Sequence, residues 1–217
     1  MAINTYATLV AAGMEYLARE NDTTISARFP DYITLFEAKM NRTLMHPKME
    51  VRSTTDVDTT SDEPEFISLP SDFQSMRRVR LSGVTGKPRL SFMSQTQLDD
   101  YRYSTDNVTD QPVYFTITGD EMELAPTPNE DYEIEMVYRA NIPALTSSNT
   151  TNWLLTLAPD LYLYGALLES APAIKEDGRI AVWSSAVATC LEQLNAHGFR
   201  QSFDSGPTTV SLPGVTP

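Results

Sequence analysis

Cysteine is almost missing from this chain: Cys190 stands alone among 217 residues, so no internal disulfide can form. Histidine is nearly as rare, with only His46 and His197. Bases are in deficit, 16 Lys and Arg against 29 Asp and Glu. The resulting formal charge of −13 argues against a sequence-independent grip on a nucleic-acid backbone, which needs clustered positive charge to release counterions. No apolar run approaches the roughly 20 residues that cross a bilayer, so no membrane partner is expected. No charged-then-apolar leader opens the sequence, which with the lone cysteine predicts folding in a reducing cytoplasm. Asn-x-Thr triplets begin at Asn21, Asn41, Asn107 and Asn149, as a Thr-rich chain produces by chance, and they are not read as glycan sites.

What is present is the composition of a folding protein. A hydrophobic fraction of 41% and a charged fraction of 21% are near the soluble average. The length allows one domain with an insertion, or two small domains. Residues 5–20 place Leu9, Val10, Gly13, Met14 and Leu17 at helical spacing, with Thr5 as N-cap. A second helix is signalled by Pro30 at an early position, Asp31 in the first turn and the series Ile33, Phe36, Met40, Leu44, with Pro47 ending it. Such a Met and Phe stripe reads as a packing face rather than a cofactor box.

From about residue 51 to 139 the texture changes to short β-branched or aromatic runs broken by Pro, Gly, Asp and Ser, which predicts strands and tight turns. Residues 114–118 and 121–124 form a hairpin pattern across Gly119-Asp120. Residues 132–139 alternate Tyr132, Ile134, Met136 and Tyr138 on a buried face with Glu133, Glu135 and Val137 on a mostly wet one. Residues 76–81 read as a further strand, and residues 94–103 as a short helical turn carrying Leu98 and Tyr101.

A polar linker precedes two more helices. Pro159 and Asp160 announce the first, which carries Leu161, Tyr164, Leu167, Leu168 and Ala171 until Pro172 interrupts it. The second, from about residue 176 to 197, carries Ile180, Trp183, Val187, Cys190, Leu191 and Leu194 and closes at Gly198. Neither helical pair can bury its stripe alone, so they are expected to pack together around an insertion. The expected fold is α+β: a bundle of N- and C-terminal helices (1–47 and 152–198), an inserted antiparallel β domain (48–145), a linker (146–151) and an extended C-terminal tail (199–217). The expected helical core is Leu9, Ile33, Phe36, Met40, Trp153, Leu161, Tyr164, Leu168, Trp183 and Val187. The tail is rich in Ser, Thr, Gly and Pro, but Phe199, Phe203, Val210, Leu212 and Val215 intersperse apolar anchors, as in a segment that orders on a partner subunit.

Chemistry is hard to find. His46 and His197 each fall at a helix end, where imidazole caps carbonyls. Cys190 lies on an apolar stripe, outside any nucleophile motif. Gly83 and Gly86 lack the spacing of a phosphate loop, and Pro88 follows Lys87 where Ser or Thr belongs. The acidic run Asp56, Asp58, Asp62, Glu63, Glu65 fails the EF-hand template, with Ser61 in the Gly position and Ile67 in the bidentate Glu position, and reads as a solvated loop. Carboxylates at Asp99-Asp100 or at Glu121 and Glu123 could serve acid–base work, but nothing selects a pair. No catalytic residue, metal or cofactor is assigned. Arg77, Arg78 and Arg80 form the basic cluster; strand alternation puts Arg77 opposite the other two. Ion pairing to acidic neighbours is expected, or contact with the acidic surface of an adjacent subunit.

One ordered set of short motifs spans nearly the whole chain. It runs through Leu69-Pro70-Ser71-Asp72-Phe73, Arg77-Arg78-Val79, Gly119-Asp120, Glu123-Leu124-Ala125-Pro126 and Glu135-Met136-Val137-Tyr138. It continues with Ile142-Pro143-Ala144-Leu145, Asn152-Trp153-Leu154-Leu155, residues 158–169, then Asp177, Arg179, Ile180 and Trp183. In this order they resemble the head-to-tail adaptor (connector) proteins of tailed bacteriophages, and are similar more broadly to podovirus-type connector or tail tubular subunits. The resemblance implies a structural virion protein rather than an enzyme, copied twelvefold into a ring below the portal. Its implied partners are the portal protein, the tail nozzle or next tail ring, and itself. It implies a place in the virion neck after assembly in the host cytoplasm, with genomic DNA passing through without specific binding. The tail anchors would then meet the portal, and Arg77, Arg78 and Arg80 would meet neighbouring subunits. The alternatives are a tail-completion or nozzle ring subunit and, from another class, a cell-wall hydrolase.

Overall fold

The computed structural model describes residues 2–174 and 178–202. The chain is α+β and divides into two compact units, Met1–Lys48 with Ala144–Pro217, and Met49–Pro143.

The first unit is helical. Helix α1 (Tyr6–Tyr16) starts from a reciprocal cap, in which Thr5 accepts from the Thr8 amide while Thr8 accepts from the Thr5 amide. Helix α2 (Thr23–Thr43) begins a full two turns before the position that Pro30 suggests, because Asp22 accepts from the Thr24 and Ile25 amides and Ile25 and Phe29 bury the extra turns. Pro30 is therefore internal to the helix. Helices α4 (Trp153–Leu157) and α5 (Pro159–Ile174) follow, α4 capped by Asn152. Pro172 falls in the last turn of α5, which ends at Ile174 and is buried along most of its circumference by α1, α2, α4 and α6 (Ile180–Ser202). Packing on several sides outweighs the one hydrogen bond a proline removes.

Two glycines set how closely these helices approach. A Cβ on Gly13 would lie 2.0 Å from the Phe29 ring, and one on Gly165 would lie 2.2 Å from Phe36. Leu9, Ile33, Phe36, Met40, Leu161, Trp183 and Val187 are buried, whereas Trp153, Tyr164 and Leu168 are half-buried because α5 turns Tyr162, Leu163 and Leu167 inward instead. Helix α6 does not close at Gly198. It continues to Ser202, and Gly198 serves close contact: a Cβ there would meet His46 and Pro47 at 2.9 Å. Residues 144–150 fold into hydrogen-bonded turns, with Thr146 N–H donating to Asn149 O and Tyr6 N–H to Thr150 O.

The second unit holds nine strands and one helix. Strands β1 (Glu50–Asp56), β9 (Glu133–Ala140) and β3 (Phe73–Leu81) form an antiparallel sheet in the order β1-β9-β3. Strands β2 (Phe66–Ser68), β7 (Glu121–Ala125), β6 (Tyr114–Thr118) and β4 (Ser91–Phe92) form a second sheet in that order. The expected antiparallel domain is thus mixed in detail, since β4 runs parallel to β6, and β5 (Thr109–Asp110) parallel to β8 (Thr127–Pro128). The β6–β7 hairpin turns at Gly119, whose φ of +62° suits a residue without a Cβ. Val79, Leu81, Ile134, Met136 and Tyr138 from one sheet share a core with Ile67, Phe115, Met122 and Leu124 from the other. Helix α3 (Gln95–Ser104) is pinned by Arg102, which donates to Leu124 O at 2.8 Å and pairs with Glu123 and Glu65.

Candidate interaction surface

Side chains at alternate positions of β9 point to opposite faces of its sheet. Ile134, Met136 and Tyr138 enter the core. The opposite face, expected to be mostly wet, instead contains a fully buried carboxylate, Glu135 at 0% exposure. It is covered by arginines from both flanking strands: Arg52 Nε at 2.7 Å, Arg80 Nε at 2.7 Å and Arg78 Nη2 at 3.3 Å. Arg80 foremost, and Arg52 with it, pull the Glu135 carboxyl down to about 2 against the opposing effect of burial.

Arg77 departs from simple alternation. A bulge between Met76 and Arg78 leaves it without a registered partner on β9, and it turns to Glu50 at 3.3 Å. Glu50 shares its face with Arg52 by strand parity, so Arg77 joins Arg78 and Arg80 instead of opposing them. Arg139, in register with Glu50, completes the group; burial and the neighbouring Arg77 lower its pKa. Five guanidiniums therefore accompany Glu50 and Glu135 along this face of the sheet, on a chain whose net charge is −13. Arg52 and Arg77 are the most open, their side chains 63% and 57% exposed. The far end of the same face is acidic, with Asp56 opposite Glu133. Sequence reasoning found Arg77, Arg78 and Arg80 but missed Arg52 and Glu135, because only the strand order places β9 between the arginine-bearing strands.

The acidic run continues from that far end. Glu65 pairs with Arg102, whereas Asp56, Asp58, Asp62 and Glu63 enter no ion pair among the described residues. Asp58 accepts from the Thr60 amide and hydroxyl. Between this run and β2 lies a hollow of about 250 Å³ lined by Asp56, Asp58, Ser61, Pro64 and Phe66 among others. Of the other acids considered, Glu123 is held by Arg102 and Gln95.

In the helical unit, His46 stacks between Trp153 and His197 with ring centroids 5.3 and 5.7 Å apart. Its Nδ1 accepts from the Lys48 amide, and burial lowers its pKa. This is a packed joint between the end of α2 and α6 rather than a pair of carbonyl caps. Cys190 is half-buried and donates to Asp160 at 3.0 Å; burial pushes its thiol up to about 11, away from the reactive thiolate. Phe199 is two-thirds exposed on the last turns of α6 and so belongs to a helix, not to an extended segment. Phe203, Val210, Leu212 and Val215 lie outside the described residues.

Charge segregation of this kind on the sheet of the second unit suits contact with another protein surface. The family model of the SU10 adaptor protein matches residues 4–211, across both units, and the chain belongs to that family. It is a structural head-to-tail adaptor of bacteriophage, a component of the virion neck. The match does not divide adaptors into podovirus-type and other connectors. No curated protein matches the chain. No helix among the described residues is long and apolar enough to cross a membrane.

Proposed function

We propose that the chain is the ring-forming subunit that docks below the portal and joins it to the nozzle or next tail ring, leaving a channel for DNA. The observation that carries this reading is the family match across residues 4–211, which covers both units. Charge supports it: a wall made of chains at −13 repels a polyanion and lets it slide without capture. The apolar anchors beyond α6 support portal docking, because a segment that orders only on a partner meets its entropy cost at the moment of assembly.

The test is cosedimentation of the purified protein with portal rings of its phage, followed by electron microscopy. A ring bound to one end of the portal is the expected result. Failure to bind the portal, with binding to isolated tails instead, would replace this reading with a nozzle subunit. The DNA arm is separate: tight, salt-sensitive DNA binding would sink the repelling channel.

A further inference from the structure

The β1-β9-β3 sheet is electrically polar along its length. Arg52, Arg77, Arg78 and Arg139 crowd the half that ends at Glu50, Arg80 lies opposite Glu135 toward the middle, and Asp56 and Glu133 form the acidic end, about 20 Å from Glu50 along β1 at ordinary strand rise. The acidic run therefore leaves the sheet at the end remote from Arg77 and Glu50. β1 is also the edge of its sheet, paired to β9 alone. From residue 53 to residue 76 the sequence contains no lysine or arginine. Four acids of that run, Asp56, Asp58, Asp62 and Glu63, have no cation beside them among the described residues, while Arg52 and Arg77 stand exposed at the other end.

The hollow beside the run suits one kind of visitor. Asp56 and Asp58 offer carboxylates for a guanidinium, and Phe66 and Pro64 offer apolar surface for its methylene stem. We propose that this hollow receives the exposed Arg77 from the sheet face of a second copy of this chain, with Arg52 adding positive charge from its place beside Glu135. This rests on the ring-subunit reading and supplies it with a contact. The two patches differ and both are present on every copy, so the contact is heterologous and propagates head to tail, as a closed ring requires. A phosphate backbone fits less well, because its approach to the arginines is opposed by the net charge of the whole chain.

The test uses full-length protein in two charge-reversed forms. One carries Arg52→Glu with Arg77→Glu; the other carries Asp56→Lys with Asp58→Lys. Circular dichroism checks the fold, and Arg77→Glu alone, which removes the exposed pair with Glu50 and leaves the arginines on Glu135 in place, replaces the first if that form does not fold. Asp58→Asn, which keeps an acceptor for Thr60, stands in for the second. Self-association is read by sedimentation velocity, and copies retained per portal ring by native mass spectrometry. Each reversed form is expected to associate about tenfold or more weakly than the parent. An equimolar mixture of the two double variants should recover association, because each offers the other a complementary charge on both sides. Unchanged association in a folded variant overturns the proposal, as does a mixture that stays apart. Assemblies that stop at dimers overturn it too, because a two-fold contact would then be in use. If the parent ignores the portal yet self-associates through these charges, the portal reading falls and this one stands. If the parent is monomeric free and leaves no ring on the portal, the contact falls.

Discussion

Glu135 and Glu37 are both buried carboxylates, and their surroundings push them in opposite directions. Arg80 and Arg52 hold Glu135 ionised, with its carboxyl down to about 2. A carboxylate whose folded pKa is depressed contributes stability above its unfolded pKa and loses it as pH falls through the folded value. Glu135→Gln should therefore lower the melting temperature of the β unit at pH 7, and the gap from the parent should shrink between about pH 4.5 and 2, which thermal melts across that range would measure. A gap independent of pH would refute the account. Glu37 accepts from the Leu145 amide and the Tyr162 hydroxyl, both at 2.9 Å, with no ion pair among the described residues, and burial raises its pKa. The sign reverses: stability falls as pH rises through the ordinary glutamate range toward the raised value. Glu37→Gln, which keeps an acceptor and drops the charge, should match or exceed the parent at neutral pH. Glu37→Ala strands two buried donors and should cost about 1–3 kcal/mol in denaturant melts.

Elements that announced themselves did so through local chemistry. The Thr5 cap and the turn at Gly119 are decided within a few residues, so they could be read directly. Pro30 and Gly198 looked like boundaries and are not, because contacts from distant residues settle each: Phe29 against Gly13, and His46 against Gly198. The arginine face was half legible for the same reason. Residue type marked Arg77, Arg78 and Arg80, but a bulge re-aimed Arg77, and the strand order brought Arg52 and Glu135 to them. One local feature remains suboptimal. After α1, Ala18 sits at φ +54°, where the cost for an L-residue exceeds that for glycine. Ala18→Gly should stabilise the helical unit by about 0.5–1 kcal/mol after allowing for the entropy glycine adds to the unfolded chain, as an increased denaturation midpoint at constant slope.

At the scale of the whole molecule, α6 takes in the residues up to Ser202, so a truncation that tests the apolar anchors without touching the helix begins at residue 203. Deleting residues 203–217 should leave the circular dichroism and melting temperature unchanged while portal rings no longer retain the protein in cosedimentation; normal retention would remove the tail from the docking role. Ending the deletion at Phe199 would cut into α6 and confuse the two effects. The β unit has a different relation to the chain. Its first strand residue, Glu50, lies opposite Arg139 near the end of its last strand, so the polypeptide leaves the unit one ladder rung from where it came in. Paired residues of this kind have Cα atoms about 4.5–5.5 Å apart. Folded, the unit presents its host with the end-to-end span of a tight turn, and closing it costs the helices little more than a short loop would. Selection can therefore lengthen, trim or exchange that sheet-bearing cassette, and with it the charged face of its sheet, without renegotiating the helical scaffold.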